Sequence, residues 1–204
     1  MPNWCYNKLV ISGPKEVRKK FLSDAFLACQ NRPPVDGFVT DFTFHMVMPM
    51  PEELYNTTAP RPRTQDDVRQ HAKHFGMSEA DFNFAMQHAI TAERAAELDA
   101  LKARFGADNW YDWCLKNWGV KWDAANVNKS VYARGITITF ETAWGPPVGI
   151  IHALAAKYPE LTFRNTYSVE GFSGTDVVVG SAAEYERWRE EMNRVQNAIA
   201  SICS

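Results

Sequence analysis

The stretch of sequence that decides the fold is Val131-Tyr132-Ala133-Arg134-Gly135-Ile136-Thr137-Ile138-Thr139-Phe140-Glu141-Thr142. Its apolar residues alternate with threonine and glutamate, and a period of two is typical of a strand with one buried and one polar side. Such strands form antiparallel sheets that are covered on one face only. We therefore predict one strand over residues 131–142 and a mainly antiparallel sheet.

Further strands are predicted on both sides of this stretch, at residues 4–12, 38–47, 161–170 and 175–180. Helices are predicted between them, the first beginning at Pro14 and others covering residues 110–118 and 146–157. The resulting order is β-α-β, a helical insertion, β-α-β-β and a last helix. This order is the split βαβ pattern, so we predict a ferredoxin-like α+β fold with helices on one face of the sheet.

The helical insertion is predicted at about residues 52–106, inside a single domain of residues 1–204. It is expected to hold a short helix over residues 65–75 and a longer one over residues 79–105. Ser78 begins the longer helix as its N-cap, because a serine hydroxyl can accept from the exposed backbone N–H groups of a first turn.

A terminal helix is predicted at residues 182–202, and it begins with a capping box of Ser181 and Glu184. Its apolar stripe recurs at steps of three and four: Tyr185, Trp188, Met192, Val195, Ile199 and Ile202. The stripe can dock on the chain's own sheet or form a homodimer seam. We favour docking, because nearly three heptads are short for a free-standing coiled coil.

Composition limits the classes of protein to consider. The chain has 204 residues, a net charge of -2 and a pI near 6.2, which argues against a dominant nucleic-acid footprint. No apolar run is long enough for a membrane span, and the first residues lack the features of a secretory signal. The four cysteines are scattered, without a CxxC pair, so we expect reduced thiols in a cytoplasmic protein.

Four short blocks carry a resemblance to a known family: residues 3–7, 117–123, 140–147 and 167–171. In this order they resemble the YubB-type proteins, which are plasmid and prophage proteins of unknown function with a ferredoxin-like domain. The resemblance covers most of the chain and is weakest over the insertion. It implies the fold and a mobile-element setting, and it supplies no catalytic residues.

A tryptophan-rich segment follows the insertion, and a second one surrounds Trp144. They suggest a cleft for a small ligand, lined by Trp110, Trp113, Asn117, Trp118, Lys121, Trp122, Asp123, Glu141 and Trp144. The alternative is core packing, since large aromatic side chains dominate the buried area of small domains. The polar members of the set can equally be hydrogen-bonded structural pins. We favour packing and pins.

Metal binding and catalysis have little support in the sequence. His71 and His74 are spaced i, i+3 on a predicted helix, with Asp67 one turn earlier, but two imidazoles are short of a tetrahedral ligand set. No known nucleophile, phosphate-loop or zinc-protease motif occurs. We expect no metal and no cofactor, and we favour a protein that is not an enzyme.

Nucleic-acid binding is a weaker alternative. The segment that begins at Arg134 resembles the start of an RNA-recognition signature, yet Ile136 and Ile138 stand where stacking aromatic residues are needed. The first helix carries a basic patch of Lys15, Arg18, Lys19 and Lys20, for which a solvated face is the ordinary explanation.

The sequence therefore favours an accessory protein of a mobile genetic element that acts by binding another macromolecule. The expected partner is a protein, and interference with host defence is one concrete form of the role.

Overall fold

The computed structural model describes residues 3–30 and 42–179. Three residues of the terminal segment are also described, and all are helical: Arg187, Glu190 and Arg194. The rest of the predicted terminal helix at residues 182–202, including its apolar stripe, lies outside the described residues. Docking of this helix and a homodimer seam both stay predictions.

The chain divides into two compact units. Met1–Pro49 and Cys114–Ser204 form one, which we call the sheet unit. Met50–Trp113 forms the other, which we call the helical unit and which encloses the predicted insertion.

The described strands are β1 Trp4–Ser12, β2 Ala125–Tyr132, β3 Gly135–Ala143, β4 Thr162–Val169 and β5 Phe172–Val179. The helices are α1 Lys15–Gln30, α2 Gln65–Phe75, α3 Glu79–Gln87, α4 Ala92–Phe105, α5 Trp110–Asn117 and α6 Val148–Lys157. The strands form one sheet in the order β2-β3-β1-β4-β5, and every neighbouring pair is antiparallel. Since α1 follows β1 and α6 joins β3 to β4, the fold is ferredoxin-like, as predicted, with β5 added at one edge.

The two faces of the sheet differ in burial. Along β1, Cys5, Asn7, Leu9 and Ile11 are buried, while the alternate residues are exposed or half-buried. Phe21 of α1 packs edge to face against Phe163 of β4, with ring centroids 6.2 Å apart. We call the other face of the sheet the open face. It carries the alternate residues of β1 and the residues opposite them on the other strands.

The predicted strand at residues 38–47 is wrong for its described part, because Phe44–Met46 form a 3₁₀ turn. Phe42, Phe44 and Met46 are all buried, so the alternation marks burial and not a strand. The backbone N–H of Phe44 donates to the carboxylate of Asp123 at 2.7 Å, where a strand would pair it with a neighbouring backbone.

The single predicted strand over residues 131–142 is also wrong, because β2 and β3 form a hairpin that turns at Ala133 and Arg134. The side chain of Arg18, from α1, stabilises this turn. The guanidinium of Arg18 donates to the carbonyls of Tyr132 at 3.4 Å and Ala133 at 2.9 Å. A turn that is stabilised by a side chain of α1 is not predictable from the residues of the turn alone.

The helical unit confirms the helix at residues 65–75 and corrects the one at residues 79–105, which is two helices, α3 and α4. Ile90 interrupts it: its N–H donates to the Arg63 carbonyl, and its carbonyl accepts from the Gln65 N–H, both at 3.0 Å. Thr91 then caps α4 by accepting from the Arg94 N–H.

None of the helices in the described ranges has the length and apolar character that a membrane span requires.

Candidate functional site

Trp118 belongs to the core of the sheet unit. Its side chain is 2% exposed, and its indole N–H donates to the carbonyl of Met48 at 2.9 Å. The ring meets Phe44 edge to face at 5.7 Å and His45 at 4.9 Å. A buried indole with its N–H satisfied has the packing role that the sequence favours for the tryptophan block.

Asp123 is a structural pin within the sheet unit. One carboxylate oxygen accepts from the Phe44 N–H at 2.7 Å and from the Ala124 N–H at 2.8 Å. The other accepts from the Thr43 hydroxyl. Because charge-assisted bonds are stronger than neutral ones, Asp123 holds residues 43–44 against the start of β2.

Trp4 and Trp122 are exposed and lie close together, and Tyr6 is on the same side of β1 as Trp4. Trp4 is 44% exposed, Tyr6 48% and Trp122 39%. The rings of Trp4 and Trp122 lie 6.1 Å apart at an interplanar angle of 40°, and the Lys121 ammonium lies 3.8 Å from the centre of the Trp122 ring. We call Trp4, Tyr6, Lys121 and Trp122 the aromatic face. Contiguous exposed aromatic side chains mark interaction sites more often than they mark ordinary surface.

The aromatic face occupies one end of the open face. In the strand register, Trp4 lies opposite Ala143, and Tyr6 lies opposite both Glu141 and Ser168. Glu141 accepts from the side-chain amide of Asn126 at 2.6 Å. Beyond β3, Trp144 is 58% exposed and has a left-handed backbone with φ of 73°. Such backbone is uncommon outside glycine and is enriched at functional sites.

A buried polar network fixes the strands beneath this surface. The side-chain amide of Asn165 donates to the side-chain oxygen Oδ1 of Asn7 at 3.0 Å. The side-chain amide of Asn7 in turn donates to the Thr142 hydroxyl at 2.8 Å. Thr142 then donates to the carbonyl of Gly145 at 2.6 Å. All three side chains are 0% exposed. The network joins β4, β1 and β3 and ends in the turn that carries Trp144.

Two cations and several hydroxyl groups lie further along the open face, together with Val10 and the exposed Tyr132. Lys8 lies opposite Thr139 of β3 and Thr166 of β4, and the next row places Arg164 opposite Val10. Lys8 and Arg164 are exposed. The open face therefore has aromatic groups at one end and positive charge further along the same strands.

The remaining predicted ligand-binding residues are divided between the units. Trp110 is half-buried and Trp113 is 6% exposed, and both belong to the helical unit. The backbone N–H of Trp110 donates to the Thr57 hydroxyl at 2.9 Å. Asn117 ends α5 and is half-buried.

Two of the four cations in the basic patch of α1 form ion pairs with acidic residues of the same helix. Arg18 is 7% exposed, and it also donates to the carbonyl of Gly13 at 3.1 Å. Lys19 pairs with Glu16 at 3.0 Å and Lys20 with Asp24 at 3.4 Å. Lys15 lies in the first turn of α1 and is exposed. Of the four predicted cations, Arg18 is thus a structural residue that holds the β2–β3 turn.

The histidine pair of the insertion lies on α2. His71 and His74 line a concavity of about 430 Å³ together with Arg63, Asp67, Gln70 and Phe75. Within the described ranges, no group of three potential metal ligands occurs.

In the sheet unit, Cys5 and Cys114 are buried. Burial raises the pKa of the Cys5 thiol, which favours an inert, protonated group.

Residues 117–196 match the family model described as a ferredoxin-like domain in Api92-like protein. The match to the Api92-like domain includes Trp118, Trp122 and Asp123, and it extends through β5. The Api92-like description names the same fold that the strand order shows.

Among solved structures, a crystal structure of protein api92 from Yersinia pseudotuberculosis is similar to this chain, with 14% sequence identity and a TM-score of 0.43. The alignment covers 87% of this chain and 94% of that chain. The search of curated proteins gave no match.

Two residues of the aromatic face were missed by the sequence-based site prediction, Trp4 and Tyr6. The signal was present, because both fall on the polar side of the alternation in β1. An aromatic residue at a position where the pattern expects a polar one is a candidate surface contact.

Proposed function

We propose that this protein acts by binding another macromolecule through the aromatic face, and that it is not an enzyme. The observation that carries the proposal is the pairing of Trp4 and Trp122 at 6.1 Å while both rings stay more than a third exposed. Tryptophan, tyrosine and arginine are the side chains that most often dominate binding energy at interfaces. Burial of this surface by a partner would recover apolar area that now contacts water.

The cellular setting is part of the same proposal. The YubB-type resemblance supports an accessory protein of a plasmid or prophage that works in the cytoplasm. For such an accessory protein, binding a component of host defence and interfering with it is one concrete form of the role. The small-ligand cleft predicted from the tryptophan blocks receives less support, because Trp118 and Asp123 already have structural partners.

Loss of the aromatic face should abolish partner binding without unfolding the chain. The full chain, a Trp4→Ala/Trp122→Ala variant and a Phe75→Ala/Phe84→Ala variant are immobilised and exposed to host-cell lysate. The control removes two aromatic rings that are 72% and 66% exposed in the helical unit. The affinity for a partner that the parent retains should fall roughly 30-fold or more in the Trp4→Ala/Trp122→Ala variant, since a hot-spot residue contributes about 2 kcal/mol or more.

The phenylalanine variant should retain the partner as the parent does. Equal retention by all three proteins would contradict the proposal. Circular dichroism of each variant establishes that the fold is kept before retention is compared.

A further inference from the structure

We propose that the macromolecule bound by the open face is single-stranded nucleic acid. This inference rests on the proposed function and names its partner. Proteins that bind single strands without strong sequence preference combine exposed aromatic rings, on which bases stack, with cations that follow the backbone. The open face carries both groups on adjacent strands of one sheet.

The aromatic face offers ring surfaces of the right kind. Trp4 and Tyr6 project from the same side of β1, the central strand, and Trp122 lies beside Trp4. The angle of 40° between the two indoles means that they are not stacked on each other. Trp4 is 44% exposed and Trp122 39%, so both side chains keep accessible surface that a base can contact. The Lys121 ammonium lies over the Trp122 ring and adds a positive charge beside it.

The cations lie where the backbone of a bound strand would run. Lys8 is one row beyond Tyr6, and Arg164 is in the row after that. Rows on one face of a strand are two residues apart, or about 7 Å. Among the described residues, neither Lys8 nor Arg164 has an ion-pair partner, so both charges are available to phosphate groups.

Hydroxyl groups surround these two cations. Thr139 and Thr166 flank Lys8, and Thr137 is in the row of Arg164. Hydroxyl side chains donate readily to phosphate and sugar oxygens, and such contacts position a strand without selecting its sequence.

Glu141 sets the direction in which a strand would lie. Its carboxylate stands opposite Tyr6 and repels phosphate, so the backbone is expected over Lys8 and Arg164 and the bases over Trp4 and Tyr6. A carboxylate among stacked bases can also accept from an exocyclic amino group, as glutamate does from cytosine.

The net charge of -2 restricts the kind of nucleic acid. Duplex binders rely on many phosphate contacts and a basic surface, which this chain lacks in its overall charge. Stacking needs unpaired bases and few cations. The sequence-based expectation against nucleic acid rested on the net charge and pI, on the basic helix and on the isoleucines of β3. The aromatic residues of the open face lie instead on β1 and next to β2.

Fluorescence anisotropy on the full chain tests the inference. The probes are labelled oligothymidylate and oligouridylate of about 12 nucleotides, a length within the range that one such domain covers, and a duplex of the same length. Single strands should bind more tightly than the duplex. Trp4→Ala and Trp122→Ala should each weaken single-strand binding by roughly 5- to 150-fold, the usual range for one stacking residue.

The salt dependence provides a second readout. With two or three phosphates contacted, log K against log salt should have a slope of about -1.4 to -2.1, because each contact on a single strand contributes about -0.7. Lys8→Ala/Arg164→Ala should reduce the steepness by roughly 1.4, while Phe75→Ala/Phe84→Ala should leave affinity and slope unchanged.

Flat titrations of the parent with both single strands up to about 1 mM, well above ordinary non-specific affinities, would overturn the inference. Equal affinity for duplex and single strands, insensitive to Trp4→Ala, would do the same. If the titrations are flat but the lysate partner is still lost from the Trp4→Ala/Trp122→Ala variant, the aromatic face binds a different macromolecule. In that case this inference fails and the proposed function stands.

Discussion

Replacing Trp118 with alanine is expected to lower the free energy of unfolding by about 3–5 kcal/mol, the usual cost of removing a buried aromatic side chain. The indole is 2% exposed and contacts Phe44 and His45. Its removal leaves a cavity and takes the donor from the carbonyl of Met48. Since typical domains are stable by only about 5–15 kcal/mol, much of the stability would be lost. Urea unfolding followed by circular dichroism measures the change.

Trp122 provides the matched control, because it is the same residue type four positions later and is 39% exposed. Trp122→Ala should cost roughly 1 kcal/mol or less, as expected for a surface position. Similar losses from the two substitutions, or a larger loss at Trp122, would show that the division of the tryptophan block into core and surface is wrong.

Asn7→Leu is expected to destabilise the chain by about 2–4 kcal/mol, although the leucine side chain has the same number and branching of heavy atoms as that of asparagine. The substitution leaves the Asn165 amide without its acceptor and removes the donor from the Thr142 hydroxyl. Both groups are fully buried, so water cannot replace the lost bonds. Thermal and urea unfolding report the loss.

The double variant Asn7→Leu/Asn165→Leu separates the network from simple packing. Removing both amides leaves fewer unsatisfied groups than removing one, so the double variant should be less destabilised than the sum of the single variants by about 1–2 kcal/mol. Strictly additive losses would mean that the two side chains are independent and that the network adds nothing.

Much of the fold could be predicted from local periodicity. The strand predicted at residues 4–12 and the helix predicted at residues 65–75 are correct, because the forces that form them act within a few residues. The β2–β3 turn depends on Arg18, which is more than a hundred positions away in the chain. The 3₁₀ turn at Phe44 depends in the same way on the distant carboxylate of Asp123. Interactions of this range leave no local signature.

The candidate site likewise has features that the sequence predicts and features that depend on distant residues. Trp118 and Trp122 belong to one block of the sequence, and nothing in that block tells which indole is buried. The distinction comes from Met48 and Phe44 on one side and from the exposed end of β1 on the other. Trp4 and Tyr6 are predictable from the sequence as surface residues, because the alternation places them on the polar side of β1.

The most direct test of the binding surface is a nuclear magnetic resonance titration of the indole N–H signals. The chain has seven tryptophans, each with one such signal, and single Trp→Phe substitutions assign them. Oligothymidylate is added to the labelled full chain. The signals of Trp4 and Trp122 should shift in proportion to the bound fraction, while that of Trp118 should stay in place. Shifts at Trp118 and Trp113, with none at Trp4 and Trp122, would contradict the assignment of the open face as the binding surface.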